Sequence, residues 1–238
     1  MPTTDPFFEP YDRDQIAYGD QPSAPLAAYL RQAGGQGLAF DLAAGAGRDT
    51  LALAAAGYDV MAVDLSERGL QRIVERAEAA GLADLVATRV ADVREVGFPV
   101  GELSALVATT MLDHIPAADA EILWAKLCDS LADDGVMYIE VHTTEDPGSP
   151  VDPGKSSKAP VSETTGAVVN YFAPNQLLAW AMRPESALRV LQYEERLEWD
   201  YTHGPEHLHG KAILLAVRAG AFPNWHGQPA AFPRRSAE

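Results

Sequence analysis

Between Ala39 and Ser66 the chain reads AFDLAAGAGRDTLALAAAGYDVMAVDLS, and this stretch restricts the fold more than any other. An apolar run with strand character, LAFDL, enters a turn of very small residues from Ala43 to Gly47. An Ala-rich run with helical spacing follows, and Gly57 stands where that helix would stop. A second apolar run, DVMAVDL, carries an acid near its end, Asp64. Strand, tight loop, helix and strand in this order open a nucleotide-binding α/β sheet. The tiny turn residues let backbone approach a ligand, and Asp64, 19 positions after Gly45, can accept both hydroxyls of a ribose.

The rest of the chain repeats the alternation. Helical patterns are expected at Pro25–Gln32, Arg48–Ala56, Glu67–Ala80 and Ala117–Leu131, with Ser66 as the N-cap of the third. Strands are expected at residues 85–92, ending on Asp92, at 104–112, and at GVMYIEVHT, ending near His142, after a turn at Asp133-Asp134-Gly135. Alternating strands and helices imply a parallel sheet covered on both faces. The alternation breaks at 144–166, a Pro-, Gly- and Ser-rich stretch. Beyond it come a helix over Pro174–Met182 and two strands, Leu188–Trp199 and Ala212–Val217, whose short connection makes them antiparallel. The expected domain plan is a lid or tail over 1–24, one domain over 25–220 with an inserted loop at 144–170, and a tail over 221–238.

Composition limits the partners. Lys+Arg 18 against Asp+Glu 34 gives a net charge of −16, which disfavours nucleic acid and anionic membrane surfaces. Cys128, the single cysteine, excludes an internal disulfide and reads as a half-buried apolar residue in a helix. The N-terminus lacks the features of a signal peptide, and no apolar run reaches the ~20 residues that span a bilayer, so a cytoplasmic location is expected.

A nicotinamide-binding turn would read G-x-G-x-x-G/A, whereas Gly45-Ala46-Gly47-Arg48-Asp49-Thr50 puts Thr at the third position. A short-chain oxidoreductase would also need a Tyr-x-x-x-Lys pair, which is absent. LAFDLAAGAGRD, then VDLS, then VAD, then a terminal hairpin together resemble the class I S-adenosylmethionine-dependent methyltransferases over about residues 20–218. The G-x-G-R-[DN] turn and the GYDV phrase are similar to the small-molecule branch with tellurite-resistance and thiopurine-type enzymes. The resemblance implies a Rossmann-like, doubly wound, mostly parallel seven-stranded sheet with an antiparallel C-terminal hairpin. It implies S-adenosylmethionine as methyl donor, S-adenosylhomocysteine as product and a small-molecule or metalloid acceptor; a homodimer is admissible.

On the matching positions, the resemblance puts Asp41 near the methionine amino group and Gly45 and Gly47 against sugar and methionine, with Arg48 in the same turn. Asp64, with Leu65, holds the ribose; Asp92 and the Val93 N–H meet the adenine; Thr109 and Thr110 line the transfer cleft. Ala43 stands at the family's first glycine, which argues against a left-handed backbone there. Asp41 is the hardest of the acids to explain without a ligand, because a carboxylate inside an apolar strand needs a partner.

The acceptor side is read from topology. Ligands of open α/β sheets bind at the carboxyl ends of the strands, which brings in Asp113, His114 and His142, with Tyr171 within reach. The turn of the last hairpin falls on that side if its first strand runs parallel to the others. His142, His203 and His207 are therefore the candidate catalytic groups. His203, His207 and His209, with Asp200 or Glu206 nearby, have the chemistry of a transition-metal site. Hydrogen bonding to turn backbone, or lining the acceptor pocket, accounts for them better on spacing alone, and no metal is assigned. Lys155 and Lys158 are candidates to guide an anionic acceptor, and 145–170 together with the first 20 residues to form a lid. The competing function is a non-catalytic module that keeps the fold as a nucleotide-binding or interaction surface.

Overall fold

A computed structural model describes residues 9–12, 18–149, 169–200 and 206–221. Seven strands form one sheet: β1 (Leu38–Leu42), β2 (Asp59–Asp64), β3 (Val86–Val90), β4 (Leu103–Thr109), β5 (Leu131–His142), β6 (Leu188–Asp200) and β7 (His207–Arg218). Their spatial order is β3-β2-β1-β4-β5-β7-β6. The first five pair in parallel, while β7 runs antiparallel to both β5 and β6. β6 therefore points the same way as β5, and the end of β6 and the start of β7 lie at the carboxyl edge of the sheet. Strand order reverses between β1 and β4, the place where α/β sheets open a ligand crevice.

The helices are α1 (Glu9–Asp12), α2 (Ala24–Ala33), α3 (Arg48–Ala56), α4 (Glu67–Ala79), α5 (Ala117–Ser130) and α6 (Gln176–Ala181). Ser66 caps α4 by accepting the Gly69 N–H at 3.0 Å. Strand alternation sorts the core into two layers. Phe40, Leu42, Leu106, Met137 and Ile139 pack with Leu123, Trp124 and Leu127 of α5 and Trp180 of α6. Ala39, Val107, Tyr138, Ile213 and Leu215 pack with Leu26 and Leu30 of α2 and Leu53 of α3. Each large side chain so buried contributes about 1.5–3 kcal/mol.

The second layer turns polar at the carboxyl edge. Two residues past Ala39 comes Asp41, two past Val107 comes Thr109, and after Tyr138 come Glu140 and His142. On β7 the same face carries His207, His209 and Lys211 before it becomes apolar at Ile213. One sheet face thus supplies core at one end and a row of chemical groups at the other.

Three expectations change. Asp133-Asp134-Gly135 does not precede β5; Leu103 pairs with Leu131 and Ala105 with Val136, so residues 132–135 bulge inside the strand. The last strand starts at His207 rather than Ala212, because Asp200 to Arg196 continue to pair with His207 to Lys211. Cys128 is fully rather than half buried, and burial pushes its thiol up to about 12. Of the proposed lid, 150–168 and most of the first 17 residues lie outside the described residues, as do Lys155, Lys158 and His203.

Candidate active site

The crevice begins at the turn after β1. Ala43 has φ 56°, in the left-handed region, followed by Gly45 at 54° and Gly47 at 85°. The alanine therefore takes a left-handed backbone that a glycine would adopt without cost, contrary to the sequence expectation. This left-handed placement costs an L-residue about 1–2 kcal/mol. The turn aims the Gly45 N–H at Asp64, whose Oδ2 accepts it at 2.8 Å, while Oδ1 accepts the Ser66 N–H at 2.7 Å. Each Asp64 oxygen has a second lone-pair direction, so the carboxylate is fixed in place and still able to accept from a ligand. A Cβ on Gly45 would stand 2.7 Å from the Tyr11 hydroxyl, so Tyr11 of α1 lies directly over the turn. Burial first, then the nearby Asp64, Tyr18 and Asp41, push the Tyr11 phenol well above its ordinary value.

Asp41 is 2% exposed and accepts a 2.5 Å hydrogen bond from the Thr50 hydroxyl. Thr50 and Asp49, both buried, are site residues the sequence reading missed; their signal was their place in the first turn of the helix after the Gly-rich loop. Asp49 pairs with Arg48 at 3.0 Å and accepts from the Thr109 hydroxyl at 2.9 Å. β1, α3 and β4 are thereby tied together under the crevice. Burial, then the neighbouring Asp49 charge, push the Asp41 carboxyl up to about 8. A ligand ammonium at this spot would meet two buried acids.

Asp92, at the third strand end, is held by Arg94. The guanidinium donates to both carboxylate oxygens, with Nη2 at 2.6 Å, and also reaches Asp119 at 3.1 Å. The hydrogen bonds from Arg94 hold the Asp92 carboxyl below its usual range. Val93 beside it is buried, and Leu65 after Asp64 is 40% exposed.

Across the switch point the polar face continues as a wall of imidazoles. His142 ends β5, and its ring Nδ1 is 2.5 Å from Asp113 Oδ2, which also accepts the His142 backbone N–H at 2.9 Å. Asp113 is fully buried, with His114 Nδ1 3.5 Å away on its other oxygen. Burial raises the Asp113 carboxyl, but the charges of His114 and His142 and their hydrogen bonds outweigh it and hold the group far below the usual range. His209 stacks edge-on to His142 with ring centres 4.6 Å apart, and His207 follows His209 at the same spacing. The sequence reading had grouped His207 and His209 with His203 but had not joined them to His142. Asp146, which it did not single out, binds the His209 ring at 2.8 Å.

Comparison with known proteins bears on the fold that carries this crevice. Residues 39–135 match a family model described as a methyltransferase domain. TehB from Haemophilus influenzae superposes with a TM-score of 0.62 at 17% identity, covering 83% of this chain and 62% of that one. The chain thus spans less than two thirds of TehB. A Burkholderia thailandensis 1,6-didemethyltoxoflavin-N1-methyltransferase, solved with bound 1,6-didemethyltoxoflavin and S-adenosylhomocysteine, gives 0.58 at 18% identity, covering 82% and 77%. An S-adenosylmethionine-dependent methyltransferase from Mesorhizobium loti gives 0.59 at 18%, covering 82% and 96%. No curated protein matches the sequence significantly. Residues 39–135 are thus similar to a methyltransferase domain, and the chain shares the fold of these S-adenosylmethionine-dependent methyltransferases. The matched segment ends within β5, so it takes in the Gly-rich turn, Asp41, Asp64, Asp92 and Asp113 but not His142, Asp146, His207 or His209.

Proposed function

We propose that the protein transfers the methyl group of S-adenosylmethionine to a small-molecule acceptor that carries a protonated heteroatom. The observation that carries the reading is the sharing of one sheet edge by two half-sites: the Gly45-anchored Asp64 beside Asp41, and the Asp113-held His142. In the first half-site, Asp64 accepts the ribose hydroxyls and Asp41 faces the methionine ammonium. Asp92 and Val93, beyond β3, reach the adenine side. Thr109, fixed by Asp49, borders the path of the methyl group.

The reaction is an in-line displacement in which a neutral thioether leaves, so the protein supplies proximity, alignment and exclusion of water. An oxygen, nitrogen or sulfur acceptor must also lose a proton. His142 is built to take it: with Asp113 holding Nδ1–H, Nε2 carries the lone pair. As the S–CH3 bond breaks and the new bond to the acceptor forms, the acceptor proton passes to Nε2, and Asp113 stabilises the imidazolium. His207 lines the same wall.

Calorimetry with S-adenosylmethionine, S-adenosylhomocysteine and NAD tests the donor. Binding of the first two and not the third is the expected result; failure of both overturns the reading. A transfer screen over thiols, metalloid oxyanions and small phenols then names the acceptor class.

A further inference from the structure

The hairpin of β6 and β7 sets four polar side chains on one face. His207 and His209 lie two residues apart on β7, and Asp200 and Glu198 stand opposite them on β6. Glu198 is bound by Lys211 at 2.8 Å. The other three converge: one ligand atom from each of Asp200, His207 and His209 lies within 4.8 Å of the others. The two ring Nε2 atoms are 3.0 Å apart.

The rings are oriented from behind. His209 Nδ1 is 2.8 Å from Asp146 Oδ2, and Asp146 is itself fixed by the Gly148 N–H at 2.7 Å and the Gly210 N–H at 3.1 Å. An ionised carboxylate only accepts, so His209 carries its proton on Nδ1 and directs the Nε2 lone pair toward His207. A carboxylate that holds the far nitrogen of an imidazole is the usual support for a metal-ligating histidine. A tetrahedral ion with N ligands at about 2.0–2.1 Å keeps them roughly 3.3 Å apart, close to the spacing present. A hydrogen bond between the two rings would account for that contact alone. It would not account for a third oxygen donor on the neighbouring strand and a locked carboxylate behind the second ring.

We propose that His207 Nε2, His209 Nε2 and the Asp200 carboxylate form a site for one divalent first-row transition-metal ion. Two imidazoles and a carboxylate on one side of an ion leave its other positions open to solvent or substrate. The site adjoins His142, whose ring packs against His209. Its use rests on the methyl-transfer reading, although its existence does not. An acceptor hydroxyl or thiol bound to the ion loses its proton more readily. The proton goes to His142, and the metal-held oxygen or sulfur takes the methyl group as the S–CH3 bond breaks.

The test uses the full chain without an affinity tag, stripped by chelator and titrated with Co2+, with Zn2+ as competitor. One equivalent per chain with visible d–d absorbance is expected. His207→Gln and His209→Gln should each weaken binding at least tenfold, and Asp146→Asn by about 10–100-fold through the lost support. Absence of Co2+ uptake, or uptake unchanged in the two histidine variants, overturns the site. Far-UV circular dichroism checks each variant, and Asp146→Asn decides if a histidine variant does not fold. S-adenosylmethionine calorimetry on metal-free protein separates the two readings. Nucleotide binding without metal uptake removes this site alone, and metal uptake without nucleotide binding removes the donor assignment alone.

Discussion

Asp113 grips His142 twice through one oxygen: Oδ2 accepts the backbone N–H at 2.9 Å and stands 2.5 Å from ring Nδ1. Strand position and tautomer are thus set by one buried carboxylate, and Nε2 is left as the acceptor of a proton. Asp113→Asn preserves the shape but offers an amide where an anion stood. Methyl transfer to a protonated acceptor should fall about 10²–10⁴-fold, in kcat rather than in donor affinity. Calorimetry with S-adenosylmethionine alongside single-turnover rates would separate the two. An equal loss in both would make Asp113 structural.

Asp64 should act on the other half-site alone. Its carboxylate holds the Gly-rich turn through the Gly45 N–H and, in the proposed function, accepts the ribose hydroxyls. Asp64→Ala removes a charged acceptor worth about 1.5–3 kcal/mol, so S-adenosylmethionine affinity should drop roughly 10–150-fold. Calorimetry of the variant gives the number directly, and an unchanged Kd would mean that the ribose lies elsewhere.

The half proposed to hold the donor could be assembled from sequence because its residues follow a local pattern. The small-residue turn, the acids at 41, 64 and 92 and the two-residue alternation of β1 and β2 sit within one continuous stretch of chain. The half proposed to hold the acceptor is not local. Asp113, His142, Asp146 and His209 come from three separate segments, and only the antiparallel return of β7 beside β5 brings them together. The Asp49–Thr109 bond crosses 60 positions and leaves no periodicity to read. Ala43 misled for a different reason: residue type reports the cost of a left-handed backbone, not whether the fold imposes it.

That cost can be recovered. Ala43 sits at φ 56° between β1 and the Gly-rich turn. Ala43→Gly relieves about 1–2 kcal/mol of backbone strain and gives back part of it as unfolded-chain entropy. A net gain of about 0.5–1 kcal/mol is expected in urea unfolding. A loss would show that the methyl group packs well enough to offset the strain.

The buried acid of β1 should govern the pH dependence of stability. Burial and the neighbouring Asp49 raise the Asp41 carboxyl to about 8, from an ordinary value of 3.8. Between those values the folded chain holds a proton there that the unfolded chain has released. Stability therefore falls as pH rises from about 4 to about 8, by up to ~1.4 kcal/mol per pH unit from this group. Asn cannot ionise and can still accept from the Thr50 hydroxyl. Urea unfolding of wild type and Asp41→Asn at pH 5, 7 and 9 should show the variant gaining on the wild type with each step. If the difference stays constant, Asp41 is already ionised in the folded protein at pH 5. The same variant loses the carboxylate proposed to face the methionine ammonium, so its added stability at pH 9 should come with weaker S-adenosylmethionine binding. Stability and donor affinity moving in opposite directions would distinguish a residue kept for its ligand from one kept for the fold.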